Sequence, residues 1–193
     1  MSEELKKFRM PAEWEPQKSV WIAWPYNKSD WPGLYKFIPK VILEIIFIIS
    51  KSLKVNLIVN KKITNIKKLI NSNKITNIKF HNIKTDRIWL RDSGPIFITN
   101  RKENKKKILN FSFNGWSKYS NYKNDNKINE NISKISNLEK IDPIIKKNGK
   151  TKKIIMEGGA FDVNGSGSIL LTEECLLLSL IHISEPTRQV LIS

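Results

Sequence analysis

Apolar residues in this 193-residue chain come in short runs, and that sets what it can fold into. The longest run, from Val41 to Ile49, carries Glu44 and falls short of the roughly 18 apolar residues that a membrane span needs. Such a chain must bury its apolar residues in packed layers of short elements. Residues 18–24 read as an apolar strand stopped by Pro25, and Trp31-Pro32-Gly33 is a breaker. Residues 34–51 are dense enough in apolar side chains to predict a buried helix. Pro39 falls in its first turns, where a missing N–H matters least. Residues 53–59 read as a buried strand. Ile63, Ile66, Leu69 and Ile70 then recur at helical spacing to about Asn71, and a further strand lies within residues 74–83.

Beyond the middle of the chain the order changes. Residues 95–99 predict a strand after a Ser93-Gly94 turn, and 101–107 a charged connection. Residues 108–113 predict a half-buried strand and 117–127 a loop. Ile128, Ile132, Ile135 and Leu138 keep helical spacing. Residues 154–156 predict a strand ending at Gly158-Gly159, and 161–171 a hairpin with a glycine-rich turn. Alternating strands and helices followed by hairpins predict an α/β or α+β layered domain, and the length suits one domain.

The formal charge of +16 raises the question of nucleic acid. It arises from 29 Lys and only 5 Arg, scattered among Ile and Asn. A phosphate-reading surface favours Arg forks with interleaved aromatics. The bias is that of an AT-rich coding sequence, so no specific nucleic-acid partner is expected. The N-terminus, Met1-Ser2-Glu3-Glu4-Leu5-Lys6-Lys7, has no apolar core behind its charges, so a cytoplasmic protein without a membrane partner is expected. A single cysteine, Cys175, excludes an intrachain disulfide framework and a multi-cysteine metal site. Glu173 and Glu174 beside it would raise its pKa, so it reads as a small core residue and not a nucleophile. His81 reads as structural.

Three constellations could carry chemistry. In Trp89-Leu90-Arg91-Asp92-Ser93-Gly94-Pro95, Asp92 sits where an apolar alternation runs into a turn. A carboxylate and an indole three residues apart could hold a planar cation, the acid accepting parallel N–H bonds while the ring covers a face. The same spacing fits a turn-capping Asp beside a core Trp. In Met156-Glu157-Gly158-Gly159, an acid ends an apolar run, and two glycines let a backbone or ligand approach closely. A tight turn after a solvent-facing Glu fits as well. Phe111-Ser112-Phe113-Asn114-Gly115-Trp116 reads as aromatic core packing.

Together these motifs resemble the agmatine deiminase family, which includes bacterial-type peptidylarginine deiminases. Met10-Pro11-Ala12-Glu13-Trp14-Glu15-Pro16-Gln17 and Val20-Trp21-Ile22-Ala23-Trp24-Pro25 open the match. Trp89 to Pro95, Phe113 to Trp116, Glu157-Gly158-Gly159 and Leu171-Thr172-Glu173-Glu174-Cys175-Leu176-Leu177 continue it in order. The resemblance covers about residues 8–177 and looks like the first half of a family member. It implies a five-fold pseudosymmetric α/β propeller (pentein type) of repeated strand–helix units, incomplete here. It also implies hydrolysis of a guanidinium group to a ureido group with loss of ammonia, as in agmatine to N-carbamoylputrescine on the way to putrescine. A thiolate attacks and a histidine-activated water resolves the adduct. No cofactor or metal is implied, and the partner is a small guanidinium substrate.

By the resemblance, Asp92 holds the guanidinium nitrogens, Glu157 is the acid beside the catalytic histidine and substrate, and Trp89 lines the pocket. The family's catalytic histidine and nucleophilic cysteine have no counterpart in these residues, so the chain is expected to be inactive alone. Ser117-Lys118 replaces the glycines that usually follow the Trp. From about residue 178 the string Leu178-Ser179-Leu180-Ile181-His182-Ile183-Ser184-Glu185-Pro186-Thr187-Arg188-Gln189 looks like translated sequencing adapter. Residues 1–177 are therefore taken as the deiminase part and 178–193 as a foreign tail. Half of a closed propeller would leave sheet edges and apolar faces uncovered.

Overall fold

A computed structural model describes residues 3–60, 63–147, 149–172 and 189–192 of the chain. The expectations for Cys175 and His182 lie outside the described residues. The chain divides into two compact units, residues 16–90, and residues 1–15 with 91–193.

The unit of residues 16–90 is built as strand, helix, strand, helix, strand: β1 (Ser19–Ala23), α1 (Ile38–Ser50), β2 (Lys54–Ile58), α2 (Ile63–Ser72) and β3 (Ile78–His81). All three strands run parallel with β2 in the centre, Ile22 beside Leu57 and Leu57 beside Phe80. Parallel neighbours need crossovers, which α1 and α2 supply. Central β2 is the most deeply buried strand of this unit: Val55 and Leu57 are sealed against Ile46 of α1, Ile70 of α2, Trp24 and Val59, and Ile58 is buried as well. Asn56, also buried on β2, is satisfied by the His81 ring, with Nε2 and Oδ1 3.0 Å apart. Burial, and then the charges of Lys79 and Lys54, lower the His81 pKa and keep the ring neutral at that core position.

Two features of this unit depart from the sequence reading. Helix α1 starts at Ile38, with residues 34–37 in a turn, and it is not a buried helix. Ile46 and Ser50 are buried, whereas Val41, Ile45, Phe47 and Ile48 face solvent. The helix has apolar residues on more than one side, but the sheet offers it one face to cover. The second feature is an internal ion pair. Asn27 caps a short 3-10 turn, Lys28–Asp30, accepting from the Ser29 amide, and the turn delivers Asp30 to the Arg87 guanidinium. Both side chains are almost wholly buried, Asp30 at 1% exposure and Arg87 at 7%.

In the other unit, the short helix α3 (Leu90–Ser93) leads into an antiparallel hairpin, β4 (Ile96–Asn100) and β5 (Lys105–Leu109). Helix α4 (Ile128–Ser136) returns the chain to β6 (Glu139–Ile141), parallel to β5. Ile128 and Ile132 are fully buried on α4, and Asn137 ends it at φ 52°. Two more hairpins follow, β7 (Ile144–Lys147) with β8 (Lys150–Lys153), and β9 (Phe161–Val163) with β10 (Ile169–Thr172). Strand β11 (Gln189–Ile192) pairs antiparallel with β10. Ile96, Phe161 and Leu171 form the core between the β4 and β9–β10 regions. Arg9 ties the N-terminal arm down, donating to both carboxylate oxygens of Glu15 and to the Gly165 carbonyl.

Here too the chain differs from the pattern read in its sequence. The strand expected at 108–113 begins earlier, at Lys105, because the Lys107 ammonium is accommodated inside by Glu4 at 2.7 Å and Glu139 at 2.9 Å. Residues 154–156 make no strand. Ile155 forms an isolated parallel bridge to Ser112, and the neighbouring ladder is the β7–β8 hairpin. The described residues form four separate small sheets, none of them closed.

A candidate guanidinium site at two converging acids

Asp92 lies within α3 and not at a strand end. Gly94-Pro95 stops the helix after one turn, because the residue before a proline is pushed out of the helical region. The loop carrying Glu157 folds against this turn. After the Ser112–Ile155 bridge, Glu157 precedes a 3-10 turn, Gly158–Ala160. The two glycines are there for space. A Cβ on Gly158 would stand 2.4 Å from the Arg91 carbonyl oxygen, and one on Gly159 would stand 2.3 Å from Asp92 Oδ1. No side chain fits at such distances, so the close approach expected of the Gly-Gly pair is an approach of the Arg91-Asp92 segment.

Asp92 is half-buried. The Gly159 amide and the Trp116 indole N–H both donate to its carboxylate. Burial raises its pKa, while Trp116, Gly159 and the charge of Arg91, in that order, pull it back. The Arg91 guanidinium is itself held by Glu13, with Asp162 3.5 Å away. Glu157 is half-buried nearby. Burial first, and the negative charge of Asp92 second, push its carboxyl up to about 7. A carboxyl whose ionisation is made costly by burial and by a neighbouring carboxylate marks a place where a cation is stabilised.

Trp116, read from sequence as core packing, is a member of this cluster. Phe113 beside it is buried, and the two rings meet edge to face at 5.0 Å. Trp116 reaches Asp92 from an unusual turn. Gly115, Trp116 and Ser117 are all left-handed, with φ of 68°, 57° and 54°. Asn114 braces the turn, accepting from the Ser117 amide at 3.1 Å and donating to Ser117 Oγ at 2.8 Å. The signal in the sequence was the Asn114-Gly115 pair, since both residues favour turns.

Trp89 belongs to the other unit. It is 43% exposed, and its ring lies 6.1 Å from that of Trp31, which in turn stands 6.3 Å from Tyr35. Among the described residues no group of three His, Cys, Asp or Glu could hold a metal ion.

Comparison with known proteins places the chain in a family. The Porphyromonas-type peptidyl-arginine deiminase family matches residues 9–180. The chain belongs to that family, whose members are hydrolases acting on guanidino groups. It is 30% identical over 173 residues to an agmatine deiminase of Pseudomonas savastanoi pv. phaseolicola, covering 88% of this chain and 45% of the relative. Among solved structures, it superposes on the agmatine deiminase of Enterococcus faecalis with a TM-score of 0.72 and 26% identity, covering 90% of this chain and 46% of that one. A C. jejuni agmatine deiminase variant with substrate bound matches with a TM-score of 0.65 and 30% identity, over 83% of this chain and 44% of that one. The chain thus spans about half the length of the curated relatives it matches.

Proposed function

We propose that these residues form the guanidinium-holding part of an agmatine deiminase-like hydrolase, which turns a guanidinium into a ureido group and releases ammonia. The observation that carries the reading is the seating of Asp92 against Gly159 with Glu157 alongside. A planar cation placed there would have its charge balanced by both acids, with Asp92 accepting from its N–H groups. Holding the cation in place orients its carbon for attack. The attacking thiolate and the histidine that activates water come from outside residues 1–193 on this reading, so the chain binds substrate but does not turn it over. Agmatine is the preferred substrate, giving N-carbamoylputrescine for putrescine synthesis in the cytoplasm. Among the described residues no helix is long and apolar enough to cross a membrane.

The pentein-type propeller is part of the same proposal. Supporting it is the strand–helix–strand–helix–strand order of residues 16–90, the kind of repeating unit such a fold is made from. Residues 1–177 are read as deiminase and 178–193 as a foreign tail. The family match ends at residue 180, close to this boundary, and sequencing the gene beyond codon 177 tests it.

Calorimetry of the chain with agmatine tests the site. Heat of binding that disappears in Asp92→Asn, with no ureido product in a colorimetric assay, is the expected result. Turnover by these residues would mean that the nucleophile has been misplaced, and no heat at millimolar agmatine would remove the clamp. Peptidyl-arginine is the second reading, favoured by the description of the matching family. A blocked arginine peptide outcompeting agmatine would establish it.

A further inference from the structure

Trp116 is held in a conformation that packing alone does not call for. Residues 113–126 form a loop closed at its base, where the Phe113 amide donates to Asn126 Oδ1 at 2.8 Å. Near its start Gly115, Trp116 and Ser117 are left-handed in succession, which costs conformational energy at the two that carry a Cβ. Gly115 leaves no room for a side chain: a Cβ there would stand 2.6 Å from the Tyr119 carbonyl oxygen. The amides of Lys118 and Tyr119 both donate to the Gly115 carbonyl, and the Asn114 side chain clasps Ser117. The indole meets the rings of Phe113, 5.0 Å away, and Tyr119, 5.9 Å away, edge to face. Strain of this kind persists where the surroundings over-determine it, and it clusters at sites of function. Here it delivers one bond, from the indole N–H to Asp92.

We infer that Trp116 is a positioning residue of the guanidinium site: its indole N–H and the Gly159 amide fix the Asp92 carboxylate in one rotation, so that its remaining acceptor positions suit the two-pronged N–H edge of a guanidinium better than a primary ammonium. The inference rests on the proposal that Asp92 holds the guanidinium. An aspartate carboxylate rotates easily about its last bond, and α3, one turn long, does little to restrain it. The Gly159 amide alone would leave a swivel about a single hydrogen bond. A second donor, from a separate segment, removes that freedom. An ionised carboxylate accepts in roughly four directions, so two internal donors leave two, the number that one edge of a guanidinium presents. An ammonium has no fixed pair of parallel donors and gains little from the alignment. The charged groups acting at Asp92 are Glu157 and Arg91, and Arg91 is engaged by Glu13.

Calorimetry of the whole chain with agmatine and with putrescine, which carries a primary ammonium in place of the guanidinium, tests this. The parent should bind agmatine about tenfold more tightly than putrescine, or better. Trp116→Phe keeps a ring beside Phe113 and loses the N–H; it should weaken agmatine about tenfold and putrescine less than about twofold. Asn114→Ala releases the turn while keeping both Asp92 and the indole. It should act in the same direction by about threefold, and it decides the matter if Trp116→Phe does not fold. Titration of the side-chain carboxyl carbons by NMR adds a readout that lost packing would not move. The Asp92 midpoint should rise in Trp116→Phe, because the missing N–H favours the ionised form. Agmatine and putrescine weakened equally, or agmatine affinity and the Asp92 midpoint unchanged in both variants, would overturn the inference and leave the guanidinium site standing. No heat from agmatine with the parent would remove the site, and the inference with it.

Discussion

Among the described residues, the buried Asp30 and the half-buried Asp92 and Glu157 are carboxylates that burial works against, and they are treated differently. In the unit of residues 16–90, Asp30 has its cation built in: Arg87, 57 residues away in sequence, meets it in the interior. Burial still raises Asp30, and the charge and hydrogen bond of Arg87 lower it again. In the other unit, Glu157 lies within the field of Asp92. Asp92 receives an indole, an amide and the field of an arginine already bound elsewhere, while Glu157 is pushed up to about 7. The first site shows a buried carboxylate completed by a guanidinium of the chain itself. On the reading above, the second is the same chemistry with the guanidinium left for a substrate to bring.

The comparison breaks most severely at Arg87. Arg87→Met should cost roughly 3–5 kcal/mol of unfolding free energy in urea, because it strands a buried charge at Asp30. The double variant with Asp30→Asn should recover most of it. If Arg87→Met is neutral, the first site is not a completed pair. Next comes the second site's close approach. Gly159→Ala places a methyl group against Asp92 Oδ1, should cost about 1–3 kcal/mol, and should abolish agmatine binding. A variant that still binds normally would show that the contact is not needed.

Glu157→Gln should act with the opposite sign to Arg87→Met. The folded-state pKa of Glu157 is raised from 4.5 to about 7, so its protonated form favours the fold. Stability from this group is full below 4.5 and is lost as pH rises through 7. The Gln variant, spared that loss, should be more stable than the parent above pH 7 by about 1 kcal/mol after allowance for solvent screening, and equal to it in acid. The smallest effect is expected at Ser117→Gly, which removes a left-handed serine and should stabilise the chain by about 0.5–1 kcal/mol. A loss of stability there would mean that the Asn114–Ser117 hydrogen bond outweighs the strain.

What could be read in the sequence was whatever local pattern controls. Ile66 and Ile70 at helical spacing and the aliphatic centre of β2 foretold their places, and the paired glycines after Glu157 foretold a close approach. Three features were hidden because non-local geometry decides them. The β7–β8 hairpin leaves Ile144 and Ile145 half in solvent among lysines, so no buried face patterns it. Trp116 joins the acids only through a left-handed turn, which no periodicity announces. Asp30 and Arg87 each look like ordinary surface charges until the fold brings them together. The error at α1 has a different origin: composition shows that a helix is apolar, but only the sheet behind it decides which side is covered.

The central claim is most directly tested by titrating the Glu157 side-chain carboxyl carbon by NMR, with and without agmatine. The account predicts a midpoint near 7 in the free chain, falling toward the ordinary glutamate range once agmatine's positive charge is seated, with Asp92→Asn lowering the free midpoint by removing the neighbouring charge. A Glu157 that titrates at its ordinary value, and does not respond to agmatine or to Asp92→Asn, would contradict it.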